Sequence, residues 1–209
     1  TALVLIGGRG CGKSSISRRI AASEKRFERL STDYLMRYEA DGKDVADIVA
    51  AGGWSGFRDL EYEVARKCCA LDEWTLLDCG GGIVVDVAAG EGGDEVYSER
   101  KAAALRAAGL VVYVERPVEY LEGRIARKAR KEAERTGDSK KGDANRPQLS
   151  ATSSFAEIMA RRDPWYRATA DVTLQCAGMK KDEIAKAVMA CYTLATGVEL
   201  APFVPKAAK

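Results

Sequence analysis

Apolar residues in the first part of the chain change from a continuous run to helical spacing. Ala2–Ile6 is an uninterrupted apolar stretch that leads into Gly7, as in a strand buried on both faces of a parallel sheet. The residues that follow, up to Ala22, place Ile16 and Ile20 one helical turn apart. The start of the sequence therefore predicts a buried strand followed by an amphipathic helix.

The same alternation continues to the end of the chain. Further strands are predicted over 27–31, 75–79, 110–115 and 172–175. Helices are predicted from residue 33 onward, over 57–71, over 118–135 and over 184–195. Strands that alternate with helices indicate a doubly wound α/β fold. The length of 209 residues suits one domain, and no apolar run is long enough to span a bilayer, so we expect a single domain over 1–209 without a membrane role.

Two polar stretches interrupt this pattern. Residues 88–95 are rich in glycine, alanine and acidic residues, and residues 128–145 are rich in lysine, arginine and glutamate. Regular patterning resumes after the second stretch without a new core, so we interpret it as part of a mobile lid over about 127–150. The alternative is that its basic residues, interleaved with glutamates, form a solvated face of a helix.

Composition excludes several classes of function. The net charge of +2 is too small to indicate nucleic-acid binding. The six cysteines contain no CxxC pair, which favours a reducing compartment over a disulfide framework or zinc site. Histidine is absent from the sequence, so catalysis has to use Asp, Glu, Lys, Arg, backbone amides or an oxygen-bound metal. The chain begins at Thr1 within an apolar run and without Met, which indicates a trimmed start and leaves targeting open.

Residues 7–14 read Gly-Gly-Arg-Gly-Cys-Gly-Lys-Ser, a complete GxxxxGK[ST] motif between a predicted strand and a predicted helix. In this motif backbone amides surround the phosphates, Lys13 contacts the β- and γ-phosphates as the main catalytic cation, and the Ser14 hydroxyl binds Mg²⁺. We therefore predict Mg²⁺-dependent ATP binding by Gly10, Cys11, Gly12, Lys13, Ser14 and Ser15. The motif alone leaves the phosphoryl acceptor open.

Five further segments, in this order, resemble the shikimate kinase family along nearly the whole chain. They are Ser31-Thr32-Asp33, Gly53-Trp54-Ser55-Gly56-Phe57-Arg58-Asp59-Leu60-Glu61, Cys79-Gly80-Gly81-Gly82, Arg146-Pro147, and Arg161-Arg162-Asp163-Pro164-Trp165-Tyr166. The resemblance implies a P-loop fold of the nucleoside-monophosphate-kinase type, with a five-stranded parallel sheet in the order 2-3-1-4-5 between helices. It also implies transfer of the γ-phosphoryl group of ATP to the shikimate 3-hydroxyl, giving 3-phosphoshikimate and ADP.

The resemblance assigns roles to individual residues. Arg58 and Arg162 bind the substrate carboxylate, for which paired guanidiniums provide directed hydrogen bonds. Asp33 binds the substrate hydroxyls and orients or deprotonates the attacking one. The backbone amides of Gly80, Gly81 and Gly82 face the substrate or the γ-phosphate. Arg146, in the lid, neutralises charge on the transferred group and so acts with Lys13 and Asp33 in catalysis.

Each assignment has a simpler structural alternative. Asp33 follows a predicted strand and could be a helix N-cap. Arg58 and Arg162 could pair with the acidic residues near each of them in sequence, on a helix surface. The three glycines could serve only a tight turn.

The resemblance is weakest at the metal site. Ser31 stands where the family has an aspartate that helps hold Mg²⁺ through water, and a hydroxyl cannot replace that charge. Asp78, at the end of the third predicted strand, matches a Walker B carboxylate of other P-loop proteins. We predict that Asp78 replaces the missing family aspartate and helps to hold Mg²⁺ through water, alongside the Ser14 hydroxyl. Alternatively, Asp78 is a local cap in an inactive nucleotide-binding regulatory protein.

The expected partners follow from the same resemblance. They are ATP and shikimate, without nucleic acid or membrane, for a monomer in the cytoplasm or, in a photosynthetic eukaryote, in the plastid stroma. A kinase of another polyhydroxy acid such as gluconate is a further alternative, which the pair Arg58 and Arg162 disfavours.

Overall fold

Five parallel strands form the central sheet of the computed structural model, which describes residues 1–71, 74–88, 94–136 and 153–205. The strands are β1 (Ala2–Ile6), β2 (Glu28–Ser31), β3 (Thr75–Asp78), β6 (Gly109–Glu115) and β7 (Val172–Gln175). Their order across the sheet is β2-β3-β1-β6-β7. Counted over the parallel strands alone, this is the order 2-3-1-4-5, so the predicted topology is confirmed.

Strand β1 lies in the middle of the sheet, and its burial explains its sequence. All five of its residues are buried. Leu3 pairs with Leu76 of β3 on one side and with Leu110 of β6 on the other. A central parallel strand has both faces covered, so its sequence is continuously apolar instead of alternating.

Seven helices are described around this sheet. They are α1 (Lys13–Ser23), α2 (Thr32–Glu39), α3 (Val45–Cys69), α4 (Glu99–Ala108), α5 (Val118–Thr136), α6 (Phe155–Thr169) and α7 (Lys181–Thr196). Local capping fixes where several of them begin. Ser98 accepts a hydrogen bond from the Lys101 amide at the start of α4, and Ser154 forms a capping box with Glu157 at the start of α6. Helix α6 continues through Pro164.

An antiparallel hairpin and the helix after it were not predicted. Strands β4 (Val85–Val87) and β5 (Glu95–Tyr97) form a separate two-stranded sheet, followed by α4. The prediction of a loop over 88–95 is therefore wrong at its end, because Glu95 is the first residue of β5. Strands of three residues are too short to produce a clear alternating pattern, so their pairing depends on tertiary contacts.

Helix α3 begins earlier than the apolar spacing indicated. The spacing placed its start at residue 57, whereas the helix begins at Val45, where the side chain of Asp44 accepts a hydrogen bond from the Asp47 amide at 3.0 Å. Gly53 interrupts the helix with φ 66° and ψ −177°. This kink divides α3 into two halves with different faces. The spacing of apolar residues in one half therefore does not continue with the same helical period into the other half.

Helix α5 contains the first part of the predicted lid. The helix predicted over 118–135 is confirmed as Val118–Thr136. Residues 128–136, which we had assigned to a mobile lid insertion, are therefore helical. Residues 137–152 lie outside the described part of the chain, and with them Arg146. Among the described helices, none is both long enough and apolar enough to cross a membrane.

Strands β1 and β6 pack closely at Gly109, and this contact leads to a testable prediction. Gly109 pairs with Ala2, and a Cβ at Gly109 would overlap with backbone atoms of Ala2. We expect Gly109→Ala to lower the free energy of unfolding by about 1–3 kcal/mol, because the backbone of a central strand cannot move aside cheaply. Chemical denaturation measures this change.

The matched control for this prediction is Gly123→Ala. Gly123 lies within α5, and a Cβ there would have no neighbour within 4 Å. Alanine has a higher helix propensity than glycine, so the free energy of unfolding of this variant should rise by up to about 1 kcal/mol. A Gly109→Ala variant as stable as the wild type would show that the two strands have room at this point.

Candidate active site

The GxxxxGK[ST] segment forms a loop between β1 and α1 at the carboxyl edge of the sheet. Gly10 has φ 91° and Gly12 has φ 104°, conformations that residues with a Cβ rarely adopt. The Cys11 amide donates to the Gly8 carbonyl at 3.2 Å, and Gly12 is the N-cap of α1. The loop therefore folds as a P-loop, with the N-terminus of an 11-residue helix behind it.

Lys13 is buried at the start of α1. Its Nζ donates to the carbonyl oxygens of Gly7 at 2.6 Å and Gly8 at 3.3 Å. Burial opposes the charge on Lys13, but a neighbouring thiol and phenol and the carboxylates of Asp78 and Asp33 outweigh that effect and raise its pKa. Lys13 is therefore a fixed cation at neutral pH, as its predicted role requires.

A cavity of about 800 Å³ lies beside the P-loop. Five of the six residues predicted to bind ATP line it, namely Gly10, Gly12, Lys13, Ser14 and Ser15. The exception is Cys11, whose side chain is buried under the loop with its Sγ 3.5 Å from Nζ of Lys13. Basic side chains outnumber acidic ones among the lining residues, which gives the cavity a positive field suited to anionic ligands.

One face of α5 contributes to this positive field. Arg124, Arg127, Lys128 and Lys131 line the cavity at helical spacing. The same helix also carries solvent-exposed ion pairs, such as Arg130 with Glu134 at 3.4 Å. The basic segment is thus partly a solvated helical face, as the alternative interpretation held, and partly a wall of the site.

Several other elements lie close to the glycine triplet after β3. A Cβ at Gly80 would overlap with Oδ1 of Asp33, and one at Gly82 would overlap with the guanidinium of Arg58. A Cβ at Gly81 would lie 3.0 Å from the backbone nitrogen of Arg9 in the P-loop. None of the three has a positive φ, so glycine is needed here for space and not for an unusual turn.

Backbone groups of the triplet also form contacts within the protein. The Gly80 amide donates to Oγ1 of Thr32 at 2.8 Å, so it is already paired within the protein. The Gly81 carbonyl accepts hydrogen bonds from the Tyr166 hydroxyl and, at 3.4 Å, from Nη1 of Arg162. Gly81 and Gly82 line the cavity. These contacts connect the end of β3 with α2 and α6.

Asp33 lies in the first turn of α2 and lines the cavity. The N-cap of this helix is Ser31, so the alternative interpretation of Asp33 as an N-cap is wrong. The adjacent Thr32 is fully buried and holds the start of α2 against the glycine triplet. The fold thus brings the Asp33 carboxylate to the same cavity as the P-loop.

Arg58, on α3, is buried and lines the cavity. Its Nη1 donates to Oε2 of Glu61 at 2.9 Å and to the Gly82 carbonyl at 3.3 Å. The pairing with Glu61 matches the alternative interpretation, but the pair is buried in the wall of the site and is not on a helix surface. Nε of Arg58 has no hydrogen-bond partner within the described parts of the chain.

Arg162, on α6, lines the same cavity. It does not pair with Asp163, whose two oxygens instead accept hydrogen bonds from Tyr113 and Arg167. Its Nε donates to Oε2 of Glu95 at 3.0 Å, and its Nη2 donates to Oε1 of the same residue. The fold therefore brings Arg58 and Arg162, the two predicted carboxylate-binding arginines, together. It also places beside them the carboxylate of Glu95, which the sequence analysis did not identify.

Lys101 is a second residue that sequence reasoning missed. It is completely buried on α4, and its Nζ donates to Oε2 of Glu61 at 2.8 Å and to the Val85 carbonyl at 2.5 Å. Burial would raise the pKa of Glu61, but Arg58 and Lys101 outweigh it and lower that pKa. One feature of the sequence could have identified Lys101 as a buried lysine: it lies one helical turn before Leu105, on the apolar face of an alanine-rich helix.

Asp78 is buried at the carboxyl end of β3, where it pairs in register with Ser31 of β2. Its Oδ2 lies 2.7 Å from Nη2 of Arg29, and Nε of Arg29 donates to Oγ of Ser17 at 2.7 Å. Asp78 also pairs in register with Leu5 of the P-loop strand β1, but its charge is shared with Arg29. It is not among the residues that line the cavity.

A P-loop and a pair of buried arginines on one positively charged cavity define a nucleotide-dependent kinase that acts on a small acidic molecule. Comparison with known proteins narrows this class. The shikimate kinase family model matches residues 9–193. The chain belongs to the shikimate kinase family.

Individual relatives agree with this assignment. The chain is 35% identical to a shikimate kinase of Leptospira biflexa over 187 residues, which cover 90% of this chain and 93% of the relative. It is 33% identical to one of Leptospira borgpetersenii, over 88% of this chain and 94% of the relative. Members of this family are ATP-dependent kinases that phosphorylate a hydroxyl group.

Solved structures show the same fold. A shikimate kinase from Acinetobacter baumannii in complex with shikimate superposes with a TM-score of 0.71 at 22% identity, covering 93% of this chain and 94% of that one. A shikimate kinase from Aquifex aeolicus gives a TM-score of 0.64 at 18% identity, covering 91% and 95%. The P-loop kinase fold is thereby confirmed.

The buried position of Lys101 leads to a stability prediction. Lys101→Met should lower the free energy of unfolding by about 2–4 kcal/mol, because Glu61 loses one of its two buried cationic partners. Lys67→Met is the matched control, because Lys67 forms an exposed ion pair with Glu39 at 2.9 Å. The control should lose less than about 1 kcal/mol. Equal losses in urea denaturation would mean that the Lys101–Glu61 contact adds nothing specific.

Proposed function

We propose that this chain transfers the γ-phosphoryl group of ATP to the 3-hydroxyl of shikimate, giving ADP and 3-phosphoshikimate. One observation carries the proposal: Lys13 of the P-loop and the two buried arginines, Arg58 and Arg162, line a single cavity together with Asp33. A phosphate-binding end and a carboxylate-binding end in one cavity suit a reaction between ATP and a small hydroxy acid.

At the nucleotide end, the P-loop amides and the N-terminus of α1 bind the phosphates, and Lys13 stabilises charge on the transferred group. The basic face of α5, with Arg124 and Arg127 among its residues, adds positive charge along the same cavity. Arg146 is proposed from the family resemblance alone as the cation of the lid. The transition state is loose, so positioning and charge stabilisation do most of the catalytic work.

At the acceptor end, Arg58 and Arg162 bind the substrate carboxylate. Their guanidiniums are held in place by Glu61, Glu95 and the carbonyls of the glycine triplet, so little side-chain entropy is lost when the substrate binds. Asp33 then binds the substrate hydroxyls and orients or accepts the proton of the attacking one.

Mg²⁺ is the proposed metal cofactor, and the oxygen donors near the P-loop fit it. The Ser14 hydroxyl lines the cavity, and hard oxygen ligands of this kind are what Mg²⁺ prefers. A bound Mg²⁺ would neutralise part of the charge on the phosphates. Asp78 is one strand away, in register with Ser31, and is proposed to act on the metal through water. Its pairing with Arg29 suits an indirect role better than direct ligation.

The proposal extends to the state and location of the protein. We propose that it acts as a monomer, because the residues assigned to both ends of the cavity come from one chain. We also propose a cytoplasmic location, which agrees with the bacterial relatives named above and with six cysteines that are all free thiols.

Acceptor specificity gives the first test. In a coupled assay of ADP release, shikimate should stimulate ATP turnover at least about tenfold over the rate without acceptor, whereas gluconate should not. Lys13→Ala should abolish the stimulated rate, because this ammonium is the principal fixed charge on the transferred group. Equal turnover with and without shikimate would contradict the proposed acceptor and favour a regulatory nucleotide-binding protein.

The metal assignment gives a second test, with Asp78→Asn. This change keeps the size of the side chain and removes its charge, so the Mg²⁺ concentration for half-maximal turnover should rise at least about fivefold, with partial recovery at high Mg²⁺. Titration of turnover with Mg²⁺ at fixed ATP measures the shift.

Arg29→Gln is the control for this experiment, since it breaks the same ion pair but leaves the carboxylate in place. Its Mg²⁺ requirement should stay at the wild-type value or fall, because Asp78 regains its full charge. If both variants raise the requirement equally, Asp78 serves to hold Arg29 and has no role toward the metal.

A further inference from the structure

The carboxylate of Glu95 lies among three arginines. Its Oε2 is 3.0 Å from Nε of Arg162 and 3.2 Å from Nη2 of Arg161, and its Oε1 contacts Nη2 of Arg162 and lies 3.9 Å from Nη2 of Arg58. The side chain is 13% exposed. Glu95 begins β5, so the hairpin outside the main sheet brings this carboxylate to the arginines.

Glu95 contacts these arginines from outside the cavity. Arg58 and Arg162 line the cavity, whereas Glu95 does not. On Arg162, Glu95 pairs with the edge formed by Nε and Nη2, and Nη1 donates to the Gly81 carbonyl at 3.4 Å. Nη1 and Nη2 each carry a second hydrogen, so the end of the guanidinium formed by these two nitrogens still has donors for a ligand. A guanidinium fixed on one edge presents the rest of its donors in a defined direction.

Charge in the buried network agrees with this arrangement. Three buried cations, Arg58, Lys101 and Arg162, are in contact with two carboxylates, Glu61 and Glu95. Lys101 also lies 3.4 Å from Oδ1 of Asp86, and Asp86 pairs in turn with Arg100. Burial opposes ionisation of Glu95, but its contacts with the arginines outweigh that effect and lower its pKa, so it is charged at neutral pH.

We propose that Glu95 is a positioning residue for the acidic acceptor: it fixes the guanidinium of Arg162 from behind, so that Arg162 and Arg58 together receive the substrate carboxylate. This inference rests on the proposed function, because it assumes that the two arginines bind that carboxylate. It assigns the β4–β5 hairpin a part in substrate recognition, although none of the described residues of this hairpin lines the cavity.

The test is Glu95→Gln in the full chain, measured by steady-state kinetics with shikimate and ATP. Gln keeps the size of the side chain but removes the charge that holds Arg162. The KM for shikimate should rise at least about fivefold, while kcat and the KM for ATP stay within about twofold of wild type. A loss of folded protein would lower the apparent kcat, and a general distortion of the site would also raise the KM for ATP, so a change confined to the KM for shikimate separates positioning from folding.

Two further variants complete the design. Glu63→Gln is the matched control, because Glu63 forms an exposed ion pair with Arg66 at 2.8 Å, and it should leave all constants unchanged. Glu95→Asp keeps the charge but shortens the side chain, so its KM for shikimate should lie between those of the wild type and Glu95→Gln. If Glu95→Gln fails to fold, Glu95→Asp decides the question: a raised KM for shikimate with unchanged KM for ATP supports the proposal, and wild-type constants overturn it.

Other outcomes are equally decisive. A lower KM for shikimate in Glu95→Gln would mean that Glu95 competes with the substrate for Arg162, which overturns the proposal, and an unchanged KM overturns it as well. These results differ from failure of the proposed function, in which the wild type itself would show no shikimate-dependent turnover and the inference would fall with it.

Discussion

The close approach of several elements to the glycine triplet after β3 is the constraint on which the site depends. A Cβ at Gly80 would overlap with Asp33 of α2, one at Gly82 would overlap with Arg58 of α3, and one at Gly81 would be in tight contact with the P-loop backbone. Because β1, β2 and β3 are adjacent and parallel, their carboxyl ends meet at one edge of the sheet. The glycines allow the groups that follow those strands to share one cavity.

Charge balance is the second feature that organises the site. Lys13 is a buried cation whose pKa is raised because nearby groups, two carboxylates among them, outweigh its burial, and Glu61 is a buried anion whose pKa is lowered by Arg58 and Lys101. Each buried charge therefore has partners that keep it ionised. The protein thus prepares a positive cavity before any ligand binds, and the ligand's own negative charges complete the balance.

The proposed metal role of Asp78 would move a carboxylate from one strand to its neighbour. Ser31 at the end of β2 lacks the charge that the family pattern has there, while Asp78 is beside it in the β2–β3 register. Parallel pairing places the two side chains at the same level of the sheet, so a carboxylate can move between strands without changing the fold. Arg29, also on β2, holds the relocated carboxylate.

The sequence by itself determined the P-loop, the buried parallel strands and the family, because each depends on residues that are close together in the chain: apolar runs, helical spacing, and glycines at fixed positions in a motif. It also identified Asp33, Arg58 and Arg162 through the resemblance. Only the tertiary structure decided the rest. Glu95 and Arg162 are 67 residues apart, and Lys101 and Glu61 are 40 apart. Contacts over such distances leave no local pattern, because they arise from the packing of a short hairpin and a helix against the completed sheet.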